Sequence, residues 1–403
     1  MSLLSRRIQQ VKPSATLAVA AKAKELQAQG RDVVNLGTGE PDFDTPKHIK
    51  KAAIKALRQG FTKYTAVGGI PELKEALVAK FRKDSGLEYK TNEVIVTVGG
   101  KQAFYNLAQA TLDPGDEVII PAPYWVSYPD MVLLAEGVPV IVETTEEQGF
   151  LMTPEQLEAA ITPKTRFVVI NSPSNPTGAA YSAEALKALA EVLERHPHVW
   201  VISDDIYEKI TFGDFTFVNL PQVAPNLFER TVILNGLSKA YSMTGWRLGY
   251  AAGPAAVIKA MDTIQSQSTS NAASFAQKAA VAALTGSQKC IKPMVKAFLR
   301  RRDFVVGRFN AMPGMSCRSP EGAFYAYPNV AGLMGCTTPA GAPLTNSLEL
   351  ANFLLESQGV AVVPGLAFGK DPYFRISFAT ADSELQKAMD RIQIVAEILS
   401  ASK

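Results

Sequence analysis

Lys239 is the side chain in this 403-residue sequence with the clearest capacity for covalent chemistry. It follows an apolar run at residues 231–234 and the glycine Gly236, so it is predicted to lie just past the end of a buried strand. In α/β sheets, ligands bind beyond the carboxyl ends of the strands. An amine in that place can attack a carbonyl compound and form an imine that a second amine displaces. The alternative is an ordinary solvated lysine, which is the usual state of this residue type.

A glycine turn at Gly99 and Gly100 separates another strand-like run from a helical pattern. Backbone N–H groups at such a helix N-terminus can bind a phosphate. The next residue, Lys101, would place a cation in the first turn of the helix, where it opposes the helix macrodipole. A bound anion would remove that penalty. The alternatives are a plain tight turn and a solvated Lys101.

Two further positions place charge beside apolar runs. Asp204 and Asp205 end the run at residues 199–202, and Arg375 interrupts an apolar run at residues 374–378. If the strand continues, Asp204 and Asp205 point to opposite faces, so only one of them can serve a ligand. A buried arginine needs an anionic partner, either a structural carboxylate or a ligand.

These residues need a scaffold, and the order of the elements indicates an α/β fold. From residue 93 onward, strand and helix patterns alternate, which predicts a mostly parallel sheet flanked by helices, with a second, smaller α+β domain built from both chain ends. We predict that residues 1–45 form an N-terminal segment and part of the small domain, 46–290 the large domain, and 291–403 the rest of the small domain. Thr45 is expected to cap a helix that has Pro46 at its first position. The predicted sheet strands are 94–98, 118–120, 138–142, 167–170, 199–202, 232–234 and 248–250.

Composition excludes several classes of function. A net charge of +3 with scattered basic residues predicts no nucleic-acid or anionic-membrane partner, and no run is long and apolar enough to span a membrane. The three cysteines are far apart and the start of the chain does not resemble a signal peptide, so a cytoplasmic protein with reduced thiols is expected. The three histidines fall outside every motif, which predicts no metal site. Glycine motifs for nicotinamide or nucleoside triphosphates are absent from the sequence.

The stretch at residues 235–249 resembles the lysine-attachment signature of the class I aminotransferases, which bind pyridoxal phosphate. The match comprises Gly-Leu-Ser-Lys at 236–239, Ser-Met at 242–243, Gly245, and Arg-Leu-Gly at 247–249. The resemblance implies the pyridoxal-phosphate transferase fold of type I, a Schiff base between Lys239 and the cofactor, and a ping-pong reaction. It also implies that Arg247 and Ser238 contact the cofactor, Arg247 at its phosphate.

Five other segments match the same family in the same order, and the resemblance implies a role for each. The cofactor contacts would come from Gly99, Gly100, Lys101, Trp125, Asn175, Asp204 and Tyr207, with Trp125 stacked on the ring, Asp204 at the ring nitrogen, and Asn175 and Tyr207 at the phenolic oxygen. In this family the bond between Asn175 and Pro176 is usually cis. The substrate contacts would come from Gly39, Trp125, Asn175 and Arg375, with Arg375 at the α-carboxylate. Tyr64 matches a tyrosine that reaches the cofactor phosphate of the neighbouring subunit, which implies a homodimer with shared active sites.

Within the family, the chain resembles the aspartate aminotransferases of the bacterial and plastid branch. The other branch binds the distal carboxylate with an arginine from the partner's central region, and no arginine occurs between Leu248 and Leu299 here. Lys101, helped by Ser14 and Thr16, is the predicted substitute. The implied substrates are aspartate or glutamate with a 2-oxo acid such as 2-oxoglutarate. Activity with prephenate, a carbon–sulfur lyase of the same fold, and a cofactor-binding regulator are the alternatives; the first stays open, Lys101 disfavours the lyase, and no segment long enough for DNA binding is added.

Overall fold

The computed structural model describes residues 3–401, and a seven-stranded sheet forms its centre. The sheet is mostly parallel, as predicted, and all seven predicted strands belong to it. In chain order they are β2 (Val94–Thr97), β3 (Glu117–Ala122), β4 (Val138–Glu143), β5 (Thr165–Asn171), β6 (Trp200–Asp204), β7 (Thr231–Gly236) and β8 (Gly249–Ala252). In space the order is β2-β8-β7-β6-β5-β3-β4, and only β8 runs antiparallel to its neighbours.

Fourteen α-helices occur in the described chain, and most of them connect or cover strands. They are α1 (Arg6–Gln10), α2 (Ala15–Ala28), α3 (Lys47–Arg58), α4 (Pro71–Ser85), α5 (Gly100–Thr111), α6 (Ser127–Leu134), α7 (Pro154–Ala160), α8 (Ala183–Arg195), α9 (Leu220–Val223), α10 (Ala255–Ser266), α11 (Ser274–Thr285), α12 (Ile291–Ala311), α13 (Ser347–Gln358) and α14 (Asp382–Ser400). None of the helices in residues 3–401 is long and apolar enough to cross a membrane.

Short strands from the two ends of the chain form two further sheets. β1 (Val34–Asn35) pairs in parallel with β10 (Val360–Ala361), so a strand near the start of the chain lies beside one near its end. β9 (Tyr325–Ala326), β11 (Val363–Pro364) and β12 (Phe374–Ser377) form an antiparallel sheet in the order β11-β12-β9. A buried apolar cluster joins β1, β9, β10, β12, α12 and α14, and it extends to Tyr207 beside the central sheet.

The carboxyl ends of the parallel strands create the edge at which the polar residues gather. Loops leave β3, β5, β6 and β7 at that edge, and α5 begins there directly after β2. Because β8 runs in the opposite direction, the loop between β7 and β8 starts and returns at this same edge. Lys239 and Arg247, eight positions apart in that loop, are therefore held on one side of the sheet.

The structure corrects one local prediction. Thr45 does not cap α3, whose N-cap residue is Pro46 without any side-chain capping bond. The Thr45 hydroxyl instead donates to the carbonyl of Ser242 at 2.6 Å and accepts a bond from the Trp246 indole N–H at 3.0 Å. Thr45 thus ties the start of α3 to the loop between β7 and β8.

Candidate active site

A pocket of about 250 Å³ opens at the carboxyl edge of the central sheet. Its walls come from the loops after β3, β5, β6 and β7, from the start of α5, and from β9 and β12. Segments near the beginning of the chain close one side. The lining residues are Ser14, Thr16, Leu17, Gly39, Gly100, Lys101, Trp125, Val126, Ser127, Tyr128, Asn171, Asn175, Asp204, Ile206, Tyr207, Ser238, Lys239, Arg247, Tyr325 and Arg375.

The Lys239 amine is held inside this pocket by one short hydrogen bond. Its Nζ donates to the backbone carbonyl of Gly39 at 2.6 Å. Burial lowers the pKa of Lys239 to about 8, and the positive charge of Arg375 acts in the same direction. A lysine with this pKa has an appreciable neutral fraction near pH 7 to 8, in contrast to a solvated lysine. The amine can therefore act as a nucleophile or as a proton acceptor.

The two neighbouring aspartates point to different surroundings. Asp204 lines the pocket, and its Oδ2 accepts a 2.5 Å hydrogen bond from the Tyr128 hydroxyl. Asp205 is buried away from the pocket, where the Ser203 hydroxyl and the Asn219 amide donate to it at 2.7 and 3.2 Å. Burial raises the pKa of both carboxyl groups. Asp204 is thus the aspartate placed to meet a ligand.

A pair of tyrosines forms another part of the wall. The hydroxyls of Tyr207 and Tyr325 are 2.7 Å apart. The Lys239 Nζ lies 5.9 Å from the centre of the Tyr207 ring. A Cβ atom at Gly39 would lie 2.5 Å from the Tyr325 hydroxyl. The backbone at Gly39 therefore lies closer to Tyr325 than a residue with a side chain permits.

The glycine turn before α5 lies against the Arg247 guanidinium. Gly99 has a φ of +85°, and a Cβ atom there would be 2.5 Å from Nη2 of Arg247. Gly249 is equally constrained, because its Cβ would be 2.3 Å from the carbonyl carbon of Gly99. Arg247 itself has a φ of 54° and donates from Nη1 to the carbonyl of Thr244 at 2.9 Å. A helix N-terminus and a guanidinium at one point are the parts of a phosphate site.

Lys101, the second residue of α5, carries a second cation to the same wall. Its Nζ is 5.2 Å from the Trp125 ring centre. Although the residue is exposed overall, desolvation and the nearby Arg247 charge lower the pKa of Lys101. Ser14 and Thr16 line the pocket too, and Ser14 occupies the N-cap position of α2 without a side-chain capping bond. Its hydroxyl is therefore not used by the helix.

Arg375 on β12 is the most deeply buried cation of the site. It is 2% exposed, and its guanidinium donates to Oδ1 of Asn175 at 2.8 Å and to the carbonyl of Gly37 at 2.6 Å. Its Nε is buried without a partner, and in residues 3–401 no carboxylate pairs with it. Burial lowers the pKa of Arg375. A buried guanidinium without a carboxylate partner in residues 3–401 is stabilised when an anionic ligand pairs with it.

The structure brings most of the predicted site residues into this one pocket. The residues among its walls are Ser14, Thr16, Gly39, Gly100, Lys101, Trp125, Asn175, Asp204, Tyr207, Ser238, Lys239, Arg247 and Arg375. Gly99 lies just behind the wall, against Arg247. Tyr64 is the exception, since it is 91% exposed and does not line the pocket of its own chain. The bond between Asn175 and Pro176 is cis.

Four polar residues of the pocket were given no role by the sequence: Ser127, Tyr128, Asn171 and Tyr325. Asn171 ends β5, where its amide donates to the carbonyl of Asp204 at 2.9 Å and its Oδ1 accepts from the N–H of Asn175. Tyr128 and Tyr325 reach the pocket from α6 and β9. Asn171 could have been found from its place at a strand end. The tyrosines gave no such signal, because their partners are 76 and 118 positions away.

Comparisons with known proteins identify the family of the chain. Residues 31–392 match the family described as aminotransferase class I and II. The chain belongs to this family.

Individual relatives cover nearly the whole chain. An aspartate/prephenate aminotransferase of Cereibacter sphaeroides is 59% identical over 98% of both chains. The crystal structure of an aspartate aminotransferase from Rhizobium meliloti superposes with a TM-score of 0.96 at 50% identity, covering 99% of this chain and 100% of that one. The aspartate aminotransferase of Thermus thermophilus, solved with maleate, gives a TM-score of 0.91 at 48% identity and covers 98% and 100%.

Proposed function

We propose that this enzyme transfers the amino group of aspartate or glutamate to a 2-oxo acid such as 2-oxoglutarate, in a ping-pong reaction with pyridoxal phosphate attached to Lys239. The observation that carries the proposal is the Lys239 amine in one pocket with Arg375, a buried guanidinium that has no acid partner in residues 3–401. An aldehyde cofactor requires an amine to react with, and an amino acid requires a cationic site for its carboxylate. The names of the Cereibacter, Rhizobium and Thermus relatives support it.

The pocket fits each part of the cofactor. Lys239 offers the amine for its aldehyde, and Asp204 offers a carboxylate in the pocket wall for its ring nitrogen. Gly99, Gly100 and Arg247 form a cradle for its phosphate that a larger residue at Gly99 would fill. The other proposed contacts are Trp125 on the ring, Asn175 and Tyr207 at the phenolic oxygen, and Ser238 and the backbone N–H of Lys101 near the phosphate. When bound, pyridoxal phosphate accepts the electron pair released as the substrate Cα–H bond breaks.

The chain's own residues bind the substrate and move its proton. Arg375 and Asn175 together hold the α-carboxylate, and Nη1 of Arg375 already lies 2.8 Å from Oδ1 of Asn175. The Lys239 Nζ, once the substrate amine has taken its place, accepts the proton from the substrate Cα. Its lowered pKa of about 8 suits this task, because a base works best when its pKa is near the operating pH. The Gly39 carbonyl keeps Nζ oriented.

Lys101 is the residue we propose for the distal carboxylate, with Ser14 and Thr16 as hydroxyl donors. Its charge is partly desolvated, so an anion would gain more from pairing with it than with a solvated lysine. A lysine is a point charge on a flexible stem and can meet carboxylates at different reach. Prephenate, which carries its second carboxylate on a ring, is therefore the second candidate substrate, favoured by the name of the Cereibacter relative.

We also propose a homodimer in which Tyr64 of each chain reaches the other chain's pocket. Its 91% exposure in the single chain supports this, because the ring is accessible to a second chain and does not enter its own pocket. A cytoplasmic location is proposed from the three free cysteines.

The test is a scan of 2-oxo acids with aspartate and glutamate as donors, using the enzyme loaded with pyridoxal phosphate. We expect transamination by the wild type, covalent fixation of the cofactor by borohydride at Lys239, and loss of both in Lys239→Ala. Including arogenate formation from prephenate separates the two candidate substrates. Release of ammonia in place of amino transfer would identify a lyase, and trapping at another lysine would overturn the assignment.

A further inference from the structure

Tyr128 contacts two of the residues that the proposed function assigns to the cofactor ring. It is the second residue of α6 and is 2% exposed. Its hydroxyl donates to Oδ2 of Asp204 at 2.5 Å. Its ring stands at 89° to the Trp125 indole with 5.2 Å between the ring centres, and on another side it packs at 5.0 Å against Phe104. Tyr128 thus joins the two groups through a single rigid side chain.

The hydrogen bond from Tyr128 is the principal one that the Asp204 carboxylate receives. The backbone N–H of Ile206 donates to Oδ1 at the longer distance of 3.3 Å. Within residues 3–401, no other side chain donates to either carboxylate oxygen. Burial raises the pKa of Asp204 and so favours its neutral form, whereas the Tyr128 bond lowers that pKa. The phenol itself stays protonated, because burial and the Asp204 charge raise its pKa well above the usual range.

We propose that Tyr128 is a positioning residue that keeps Asp204 ionised and aimed into the pocket and that fixes the plane of Trp125. The inference rests on the proposed function, since Asp204 and Trp125 are there assigned to the cofactor. An ionised Asp204 is needed to hold a proton on a ring nitrogen. An edge-to-face contact fixes the orientation of an aromatic ring and contributes beyond the area it buries. One tyrosine would therefore set both the electrostatics and the stacking of the cofactor ring.

Tyr128→Phe is the variant that isolates the hydroxyl, because it keeps the ring packed against Phe104 and Trp125. The ionisation of Asp204 is measured by infrared titration of the full-length protein without cofactor, with Asp204→Asn as the subtracted reference. A hydrogen bond to a charged group changes the acid dissociation constant of that group by a factor of about ten to a hundred. We therefore expect the titration midpoint of Asp204 to rise by about one to two pH units in Tyr128→Phe. An unchanged midpoint would overturn the proposal.

The second readout is the binding of pyridoxal phosphate, measured by fluorescence quenching. We expect the dissociation constant to increase about tenfold in Tyr128→Phe, on the same hydrogen-bond scale. The pH at which the absorption spectrum of the bound cofactor changes should also move upward, because a less protonated ring withdraws fewer electrons from the nitrogen that Lys239 contributes. A role through Asp204 requires that Tyr128→Phe has little further effect in the Asp204→Asn background. Equal effects in both backgrounds would mean a merely structural role.

Tyr124→Phe is the matched control, since Tyr124 lies four residues before Tyr128, in the loop that precedes α6, and is only half-buried, with its hydroxyl beside Gly369 and not Asp204. It should leave the titration and the spectrum unchanged. The two proposals fail differently. If the wild type does not bind pyridoxal phosphate, the proposed function is wrong, and the infrared titration still decides whether Tyr128 holds Asp204 ionised. If the wild type binds it and neither readout moves in Tyr128→Phe, only the role of Tyr128 is wrong.

Discussion

At the scale of single residues, the site is defined by ionisable side chains whose charged forms are disfavoured by desolvation. Lys239, Asp204 and Arg375 share one pocket, and desolvation is the largest influence on the pKa of each. A buried charge that has no oppositely charged partner destabilises the folded protein. The arrangement becomes favourable when a ligand brings the missing charges, which is why these three residues indicate binding and not structural ion pairs.

The difference between Asp204 and Asp205 gives a direct test at this scale. We expect Asp204→Asn to lower kcat by about 10²–10³, on the scale of other preorganised electrostatic contacts. Asp205→Asn should leave kcat nearly intact. It should instead lower the free energy of unfolding by about 1–3 kcal/mol, because an amide there places an NH₂ group against the Asn219 amide or the Ser203 hydroxyl. Steady-state kinetics and urea unfolding of both variants separate the outcomes, and a greater kinetic loss in Asp205→Asn would refute the assignment.

Lys101 gives the corresponding test for substrate choice. A charge-assisted contact is worth about 1.5–3 kcal/mol, so Lys101→Ala should lower kcat/KM for aspartate by about 10- to 100-fold. Phenylalanine lacks a distal carboxylate, and its kcat/KM should change little. The comparison of the two substrates in one variant is its own control. An equal loss for both would show that Lys101 serves the cofactor and not the substrate.

At the scale of elements, the loop at residues 37–44 links the site to the helices of the chain's second half. Its Gly37 and Gly39 carbonyls accept bonds from Arg375 and Lys239. Farther along the loop, Asp42 receives two bonds of 2.8 Å from Arg301 on α12. The same guanidinium also donates to Asp382 at 2.9 Å, at the start of α14. Arg301 thus fixes the loop whose carbonyls orient both cations.

We expect Arg301→Ala to loosen that loop. The free energy of unfolding should fall by about 2–3 kcal/mol, less than for a fully buried pair because both aspartates reach water. KM for aspartate should rise as the Gly37 carbonyl no longer holds Arg375 in place. The adjacent Arg300 pairs with the same Asp382 but its side chain is 67% exposed, against 8% for Arg301. Arg300→Ala should cost under about 1 kcal/mol and leave KM unchanged, and similar effects of both changes would contradict the positioning role.

The sequence predicted elements better than it predicted contacts between them. All seven strands of the central sheet were found, because a buried strand is a local apolar run and its loop is marked by glycine or polar residues. The strand ends also placed Lys239, Asp204 and Asn175 at one edge. The role of Thr45 was wrong, because its partners Ser242 and Trp246 lie about 200 positions away and compete with the local cap. Tyr128 and Tyr325 were missed for the same reason.

At the scale of the whole molecule, the two ends of the chain share one core. β1 pairs with β10, and one apolar cluster joins β1 to α12 and α14. Residues near the start of the chain therefore lie beside residues near its end. This supports the division into residues 1–45, 46–290 and 291–403, which we retain as a proposal. Arg375 on β12 meets Lys239 from the central sheet only because the two parts are packed together.

The proposed homodimer gives the prediction that belongs to this scale, because a shared site can be tested by mixing subunits. One subunit would carry Lys239→Ala and the other Tyr64→Ala, each nearly inactive as a homodimer. In a mixed dimer, the pocket with an intact Lys239 receives the intact Tyr64 of the opposite chain, and the other pocket lacks both. We expect the mixed dimer, isolated with two affinity tags, to recover about half of the wild-type activity per dimer, since one of two sites is complete. If Tyr64 acted within its own chain, the mixed dimer would stay as inactive as its parents. Mixing Lys239→Ala with Asp204→Asn is the control, because both residues line the same chain's pocket and no complete site can form.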